Sequence, residues 1–230
     1  MKKERQFVHS GGTPSLEQVF TQDGRALLTV RIRCPFEEPP KGRGMGRMAR
    51  YYRGIFGAYQ RYCTGRLLQQ LRGEYARSPA EDGAFLPYEA GLDYRITRDD
   101  GLILSLYYER VEVRGGRTVC TLRYSDTWRK RSGKLLTLEE LIENSGKRML
   151  LQRVMQTVPL MGEQHFFPRW RKLVKKYLNV NRFFVRDDEV ILYFQPGTIS
   201  PFERGVQEFS VGPLFQQRSA DGVIPTIQTL

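Results

Sequence analysis

The spacing of apolar residues predicts a strand and then a long helix in the first third of the chain. Apolar and polar residues alternate over 26–34, as they do on a strand with one buried face. Over 47–76 the pattern changes to helical spacing, carried by Tyr52, Ile55, Tyr59 and Tyr62. Because Gly54, Gly57 and Gly65 weaken this helix, we expect a neighbouring backbone to approach it closely.

The middle of the chain has the pattern of three antiparallel strands. Alternation recurs over 92–98, 102–113 and 118–127, and turns rich in Asp and Gly separate the three segments. Tyr107 and Tyr108 are consecutive in the second strand and point to opposite faces. We therefore expect at least one of the two rings to be exposed.

The second half of the chain combines short helices with a hairpin. Thr137 and Glu140 have the spacing of a capping box, which predicts a short helix there. Further helices are predicted over 147–158 and from Pro168, and strands over 182–186, 189–195 and 206–211. The predicted fold class is α+β: an antiparallel meander sheet packed by one long N-terminal helix and two or three shorter helices, with a C-terminal hairpin.

The domain organisation follows from the same patterns. Residues 1–15 lack periodicity and are predicted to be a flexible lead-in, and 213–230 a tail. Residues 16–98 hold the first strand and the long helix, and 99–212 hold the remaining elements. With 230 residues and no linker between these regions, we expect 16–98 and 99–212 to form one globular unit.

The charge of the chain is strongly positive and points to anionic partners. The net charge is +12 and the isoelectric point is about 9.8. Basic residues cluster over 41–53, 129–134 and 169–176, and the candidates for anion binding in the third cluster are Arg169, Lys172 and Lys176. We favour solvated surfaces for these clusters, with binding of nucleic acid or another anionic polymer as the alternative. A single merged basic surface would favour that alternative.

The residues after Met1, the length of the apolar stretches and the cysteines together indicate the cellular compartment. Polar residues follow Met1 where an export signal would be apolar, and no apolar stretch is long enough to span a membrane. Cys34, Cys63 and Cys120 are odd in number and too widely spaced for a metal knuckle, so we expect free thiols. The expected location is cytoplasmic, or extracytoplasmic if the sequence is a trimmed piece of a longer protein.

Candidate chemistry is sparse. His9 and His165 are the two histidines of the chain, and the sequence lacks nucleophile-elbow, zinc-protease, phosphate-loop and dinucleotide fingerprints. We therefore expect no enzymatic activity, no cofactor and no metal. A hydrolase that uses His165 with a carboxylate remains a further alternative.

The loop over 196–205 is the most unusual local feature. Two prolines and two glycines frame apolar side chains, and such a rigid loop lowers the ordering cost of binding. With two tyrosines from neighbouring strands, the candidate partner contacts are Ile199, Pro201, Phe202, Gly205, Tyr107 and Tyr193. The competing interpretation is that Ile199 and Phe202 plug the edge of the core.

Short motifs in the C-terminal region occur in an order that resembles a known family. They run from Asp100-Gly-Leu-Ile-Leu-Ser-Leu106 through Ser132–Leu141, Val190–Pro196 and Ile199–Phe202 to Gly205–Val211. This order resembles the uncharacterised domain that forms the extracellular region of RsiV-type anti-sigma factors and is attached to some peptidoglycan deacetylases. Residues 26–98 are similar to the smaller domain that precedes it in that family.

The resemblance implies a bacterial, non-catalytic α+β module. In RsiV-type proteins this region binds lysozyme, whereas catalysis in the deacetylases belongs to a separate domain. The family loop reads Tyr-x-Ile-Ala-Pro-Tyr-Ala, and here it is Gly197-Thr-Ile-Ser-Pro-Phe-Glu203. The leading hypothesis is a binding or sensing module that recognises a protein or a cell-wall-like glycan; its oligomeric state is left open.

Overall fold

A six-stranded sheet forms the centre of the molecule. The computed structural model describes residues 16–36, 42–78, 85–143 and 145–215. The strands follow one another across the sheet in chain order: β1 (Leu16–Gln22), β2 (Arg25–Ile32), β3 (Tyr88–Asp99), β4 (Ile103–Arg114), β5 (Arg117–Arg129) and β6 (Lys134–Leu135). All neighbours are antiparallel except β2 and β3, which are parallel.

One long helix connects the two parallel strands, as a parallel pair requires a crossover. It consists of α1 (Arg43–Tyr62), one π-helical turn (Cys63–Leu67) and α2 (Leu68–Arg77). The predicted helix over 47–76 is confirmed, and it begins four residues earlier. The predicted strands of the meander are confirmed as β3, β4 and β5, whereas β1 has no counterpart among the predictions.

The long helix packs on one face of the six-stranded sheet. Of the predicted stripe, Tyr52 and Tyr59 are buried, whereas Ile55 and Tyr62 are half-buried at its margin. The buried face of the long helix also includes Met48, Ala49, Phe56 and Cys63. They contact the side chains of alternate strand residues such as Leu28 and Leu106, both fully buried. The apolar stripe of the helix and one face of the sheet therefore form a first core.

The expectation that the helix glycines receive a neighbouring backbone is wrong for Gly54, Gly57 and Gly65. A Cβ at Gly54 or Gly65 would meet nothing within 4 Å, and one at Gly57 would meet only the side chain of Arg61. These glycines face outward, where the helix has no packing partner within the described residues. The close approach occurs instead at Gly44, whose Cβ would lie 2.1 Å from the backbone oxygen of Lys130.

A second, three-stranded sheet covers the other face of the first. It consists of β7 (Phe183–Arg186), β8 (Glu189–Phe194) and β9 (Gln207–Pro213), all antiparallel. Short 3-10 turns occur at Leu138–Glu140, Glu163–His165 and Phe202–Arg204. The far face of this sheet packs against α3 (Lys147–Met161) and α4 (Trp170–Tyr177), which together form a second core.

The order of layers is thus helix, six-stranded sheet, three-stranded sheet and helices. Tyr107 packs between the sheets with Phe184 and Tyr193, whereas Tyr108 belongs to the core under the long helix. The expectation that one of the tyrosines 107 and 108 is exposed is therefore wrong, because each face of β4 is covered.

The α+β prediction is confirmed, with differences at particular elements. The Thr137–Glu140 capping box is present, but it opens a 3-10 turn rather than an α-helix. The helix predicted from Pro168 begins at Trp170, and the last strand extends to Pro213. The predicted lead-in over 1–15 and the tail beyond Phe215 lie outside the described residues.

Candidate functional site

Aromatic rings gather around one carboxylate at the edge of the six-stranded sheet. We call this group the aromatic–carboxylate cluster; it consists of Tyr51, Tyr52, Tyr108, Tyr124, Asp126 and Trp128. Two of its members lie on α1, one on β4 and three at alternate positions of β5. Alternate residues of a strand share one face, so the three residues of β5 all point towards the helix.

Hydrogen bonds link the interior of the cluster. The indole nitrogen of Trp128 donates to the hydroxyl of Tyr52 at 2.8 Å, and this hydroxyl donates to Oδ2 of Asp126 at 2.9 Å. Tyr52 is fully buried and Trp128 nearly so. The chain of donors therefore holds the carboxylate in one orientation.

The carboxylate of Asp126 is electrostatically unusual. Burial raises the pKa of Asp126 from 3.8 to about 6, although hydrogen bonds from Tyr52 and Tyr51 oppose this change. Burial and the charge of Asp126 raise the pKa of Tyr51 to about 12. A carboxyl group with a strongly raised pKa among aromatic rings is typical of functional sites, although structural networks also produce such values.

The outer part of the cluster is open to solvent. The rings of Tyr124 and Tyr51 are 44% and 37% exposed, and Asp126 is half-buried. Strand β6 pairs with β5 only at Trp128 and Arg129, so the earlier part of β5 is a sheet edge. The cluster therefore offers ring surface and one acceptor side by side. The sequence predicted this strand from the alternation over 118–127 but not the site; Tyr124 and Trp128, four residues apart and so on one face of the strand, are the signal that could have indicated it.

Two predicted partner contacts, Tyr107 and Tyr193, lie between the two sheets. The guanidinium of Arg123 is 4.0 Å from the ring centroid of Tyr107, and the hydroxyl of Tyr193 donates to the backbone oxygen of Arg123 at 3.2 Å. Tyr193 is 2% exposed and Tyr107 is half-buried. Because the three-stranded sheet covers this face of β4, the ring of Tyr193 is not accessible to a partner in this structure.

Arg123 is the centre of the contact between the sheets. It forms ion pairs with Glu109 at 2.8 Å and with Glu208, although it is only 7% exposed. The side-chain amide of Gln195 accepts from the backbone nitrogen of Arg123 and donates to its backbone oxygen. Gln195 thereby satisfies part of the open edge of β5, which would otherwise be a site for strand pairing.

The loop over 196–205 divides into a buried and an exposed part. Ile199 is fully buried in the second core, and Gly205 is buried with a φ of 70°, which favours glycine. Pro201 is exposed and Phe202 is half-buried. The surface that this loop offers to a partner is therefore limited to Pro201, Phe202 and the polar residues beside them.

The three basic clusters do not merge into one surface. Gly44 at the start of α1 touches the turn over 130–133, so the first two clusters adjoin there. The third cluster lies on α4, in the layer farthest from α1, and its exposed residues include Arg169, Lys172 and Lys176. Lys41 of the first cluster lies outside the described residues.

The imidazole of His165 is within hydrogen-bond distance of a backbone atom only. Its Nδ1 lies 3.1 Å from the backbone oxygen of Met161. The nearby carboxylate of Glu163 forms an ion pair with Arg171 at 2.9 Å. In the described part of the chain, no carboxylate, hydroxyl or thiol is hydrogen-bonded to His165. The other histidine, His9, lies outside that part.

The described residues contain no group of three or more His, Cys, Asp or Glu side chains that could hold a metal ion. In the described part of the chain, Cys34, Cys63 and Cys120 form no disulfide bond, and burial raises the pKa of Cys63 to about 11. Within the same ranges, no helix is both long and apolar enough to cross a membrane.

Comparison with known proteins identifies solved structures that have a similar fold. No family model and no curated protein matches the chain. A crystal structure of a DUF3298 family member from Bacteroides fragilis has a TM-score of 0.54 and 14% identity, covering 86% of this chain and 87% of that one. A DUF3298 family protein from Pseudomonas aeruginosa has a TM-score of 0.54 and 13% identity, covering 86% and 88%. The chain therefore has the fold of two solved DUF3298 family proteins.

Proposed function

We propose that this chain is a non-catalytic binding module that takes a glycan on the aromatic–carboxylate cluster. The observation that carries the proposal is the pair of partly exposed rings, Tyr51 and Tyr124, beside the half-buried carboxylate of Asp126. Binding sites combine apolar and aromatic walls with a few fixed polar groups, and this cluster has both. The likeness to the two DUF3298 structures supports the fold of such a module and not its ligand.

The chemistry of a sugar ring suits this arrangement. The apolar face of a pyranose packs on an aromatic ring, and its hydroxyl groups donate to a carboxylate. The raised pKa of Asp126 gives the same group a donor below about pH 6 and an acceptor above it. We therefore expect a glycan to bind differently on the two sides of this pH.

Tryptophan fluorescence offers a direct test of glycan binding. The two tryptophans lie in different cores, and Trp128 contacts Tyr51 with ring centroids 5.1 Å apart. In a Trp170→Phe background the emission comes from Trp128 alone. Titration with N-acetylglucosamine oligomers and soluble peptidoglycan fragments should then change it in a saturable way.

Variants of the exposed strand test whether the cluster is the site. Tyr124→Ala removes a ring that is 44% exposed and should weaken binding about tenfold or more, as loss of a stacking contact does. Val119→Ala is the matched control, since Val119 is 50% exposed on the same strand. The proposal fails if no fragment binds at millimolar concentration, or if the Tyr124 variant binds like the control.

The resemblance to the RsiV-type region suggests lysozyme as a second ligand to test. The exposed part of the loop over 196–205 would then contribute Pro201 and Phe202. Affinity measurements with a panel of lysozymes, on the wild type and on Phe202→Ala, decide this point. Lack of binding to every lysozyme removes this partner, and it leaves the glycan titration unaffected.

A second candidate function, binding to a polyanion, has its own observation. The outward face of α1 carries Arg43, Arg47, Arg50 and Arg61, all exposed, and the sequence has no Asp or Glu between Glu38 and Glu74. The outward glycines at 54 and 65 leave the helix backbone uncovered between these cations. Such a basic face attracts the phosphate backbone of a nucleic acid.

Salt dependence and a matched pair of double variants test polyanion binding. Arg47→Gln with Arg50→Gln should weaken binding to duplex or single-stranded nucleic acid at low salt and reduce the salt slope by about two. Arg169→Gln with Lys172→Gln removes the same charge from α4 and should leave binding nearly unchanged. Equal losses in both variants would indicate an effect of net charge alone, and this candidate would be abandoned.

A further inference from the structure

A cavity of about 440 Å³ lies at the end of the three-stranded sheet, away from the aromatic–carboxylate cluster. Its walls come from the segment after the 3-10 turn at Leu138–Glu140, from α3 and from the end of β9. The apolar side chains that line it include Ile142, Leu214 and Phe215, and the charged ones are Arg153 and Glu143. This volume lies in the range of small-molecule sites.

Arg153 lines this cavity, and one nitrogen of its guanidinium is buried without a partner in the described part of the chain. Its Nη1 atom is buried and has no hydrogen-bond partner among the described residues. Buried donors in native proteins are almost always paired with protein, water or a ligand. An incompletely paired charged donor is more costly than a neutral one, so an anionic acceptor in the cavity would stabilise the guanidinium of Arg153.

The backbone around Arg153 leaves room for the guanidinium. Gly212 on β9 has a φ of 139°, and a Cβ at this position would lie 2.9 Å from Nη1 of Arg153. Any larger residue would therefore press on the charged group. The carboxylate of Glu143 lies at the rim and is exposed, and within the described ranges it forms no ion pair with Arg153.

From this geometry we infer a second binding site, for a small amphiphilic anion with one carboxylate and an apolar body. The guanidinium of Arg153 takes the carboxylate as an ion pair with a charge-assisted hydrogen bond. The side chains of Ile142, Leu214 and Phe215 cover the apolar body. The site is independent of the proposed glycan surface, because the two lie on different sheets and different cores.

Titration calorimetry with octanoate tests this site, and 1-octanol serves as the neutral analogue. Octanoate should bind the wild type at least about tenfold more tightly than octanol, because only the carboxylate pairs with Arg153. Inorganic phosphate should bind more weakly than octanoate, because it leaves the apolar walls uncovered. Equal affinities for octanoate and octanol, or for octanoate and phosphate, would overturn the inference.

Variants of α3 locate the binding. Arg153→Met should reduce the affinity for octanoate about tenfold or more and abolish its advantage over octanol. Arg148→Met is the matched control, since Arg148 is exposed on the same helix and lies outside this cavity. Unchanged octanoate binding in the Arg153 variant would also overturn the inference. If that variant does not fold, the comparison of octanoate with octanol on the wild type decides alone.

Discussion

Gly44 sits where two segments of backbone come closest. A Cβ at this position would lie 2.1 Å from the oxygen of Lys130 and within 3 Å of two further backbone atoms in the turn that follows β5. Backbone atoms cannot move aside as a flexible side chain does. The start of α1 is therefore fixed on the end of β5 at a single residue.

Substitution at Gly44 should be far more costly than at Gly54. We expect Gly44→Ala to lower the free energy of unfolding by about 2–4 kcal/mol, because the added methyl forces the turn away. Gly54→Ala should instead raise it by about 0.5–1 kcal/mol, because this glycine faces open space and alanine favours the helix. Urea unfolding measures both, and similar effects for the two variants would contradict the role of Gly44.

Asp126 should make the stability depend on pH in a defined window. Its pKa is about 6 in the folded protein and 3.8 when exposed, so the folded state holds the proton more tightly. The stabilisation is complete below about pH 4 and is lost as the pH rises through 6.

The Asp126→Asn variant has no carboxyl group at this position, so its stability does not fall as the pH rises through 6. Relative to the wild type, it should gain on the order of 2 kcal/mol in free energy of unfolding between pH 4 and pH 7. Urea unfolding at several pH values tests this, with Asp23→Asn as a control at an exposed turn. Parallel pH profiles of the wild type and Asp126→Asn would show that Asp126 titrates normally.

At the scale of elements, the two sheets meet through Arg123 rather than through a continuous apolar layer. Burial raises the pKa of Glu208, but the ion pairs with Arg123 and Arg186 together lower it further, so it lies below its usual value. The apolar contact beside this pair is small and comprises Phe184, Ile191 and Tyr193 with Tyr107 and Val206. Loss of Arg123 thus leaves two carboxylates without their buried partner.

Arg123→Met should lower the free energy of unfolding by about 3–5 kcal/mol, because it breaks a buried ion pair from one side. Arg186→Met is the matched control, because Arg186 is the other arginine that pairs with Glu208. The side chain of Arg186 is 47% exposed. The control should cost about 1 kcal/mol or less. Comparable losses in the two variants would contradict a special role of the inter-sheet position.

At the scale of the whole molecule, the two cores should unfold together. Trp128 belongs to the core under the long helix and Trp170 to the core under α3 and α4. Ile103 of β4 packs into the second core, although the next residue, Leu104, belongs to the first. Strand β4 therefore contributes to both.

Single-tryptophan variants test this cooperativity. In Trp170→Phe the fluorescence follows the first core, and in Trp128→Phe it follows the second. Each urea transition should coincide with the loss of circular dichroism of the same variant, as in two-state unfolding. A fluorescence midpoint that differs from the circular dichroism midpoint would divide the molecule into two independent units.

The sequence by itself determined the elements and their buried faces. Periods of two and of about 3.6 are properties of the backbone, so the alternation over 118–127 and the stripe from Tyr52 to Tyr62 predict local structure without knowledge of the fold. The capping box at Thr137 was predictable for the same reason, since both partners lie within four residues. Strand β1 was missed because its half-buried face carries Gln18 and Gln22 as well as Leu16 and Phe20, while the apolar Val19 is exposed, so the sequence shows no apolar alternation there.

Only the tertiary structure decided which faces were covered and which polar groups met. Tyr107 is covered because β7 packs on β4 through Phe184, and the acceptor of Tyr52 is Asp126, 74 residues away. The unpaired nitrogen of Arg153 likewise depends on where β9 ends. Such contacts join segments that are far apart in the chain. They depend on packing between layers and not on the local backbone, so no periodic pattern in the sequence indicates them.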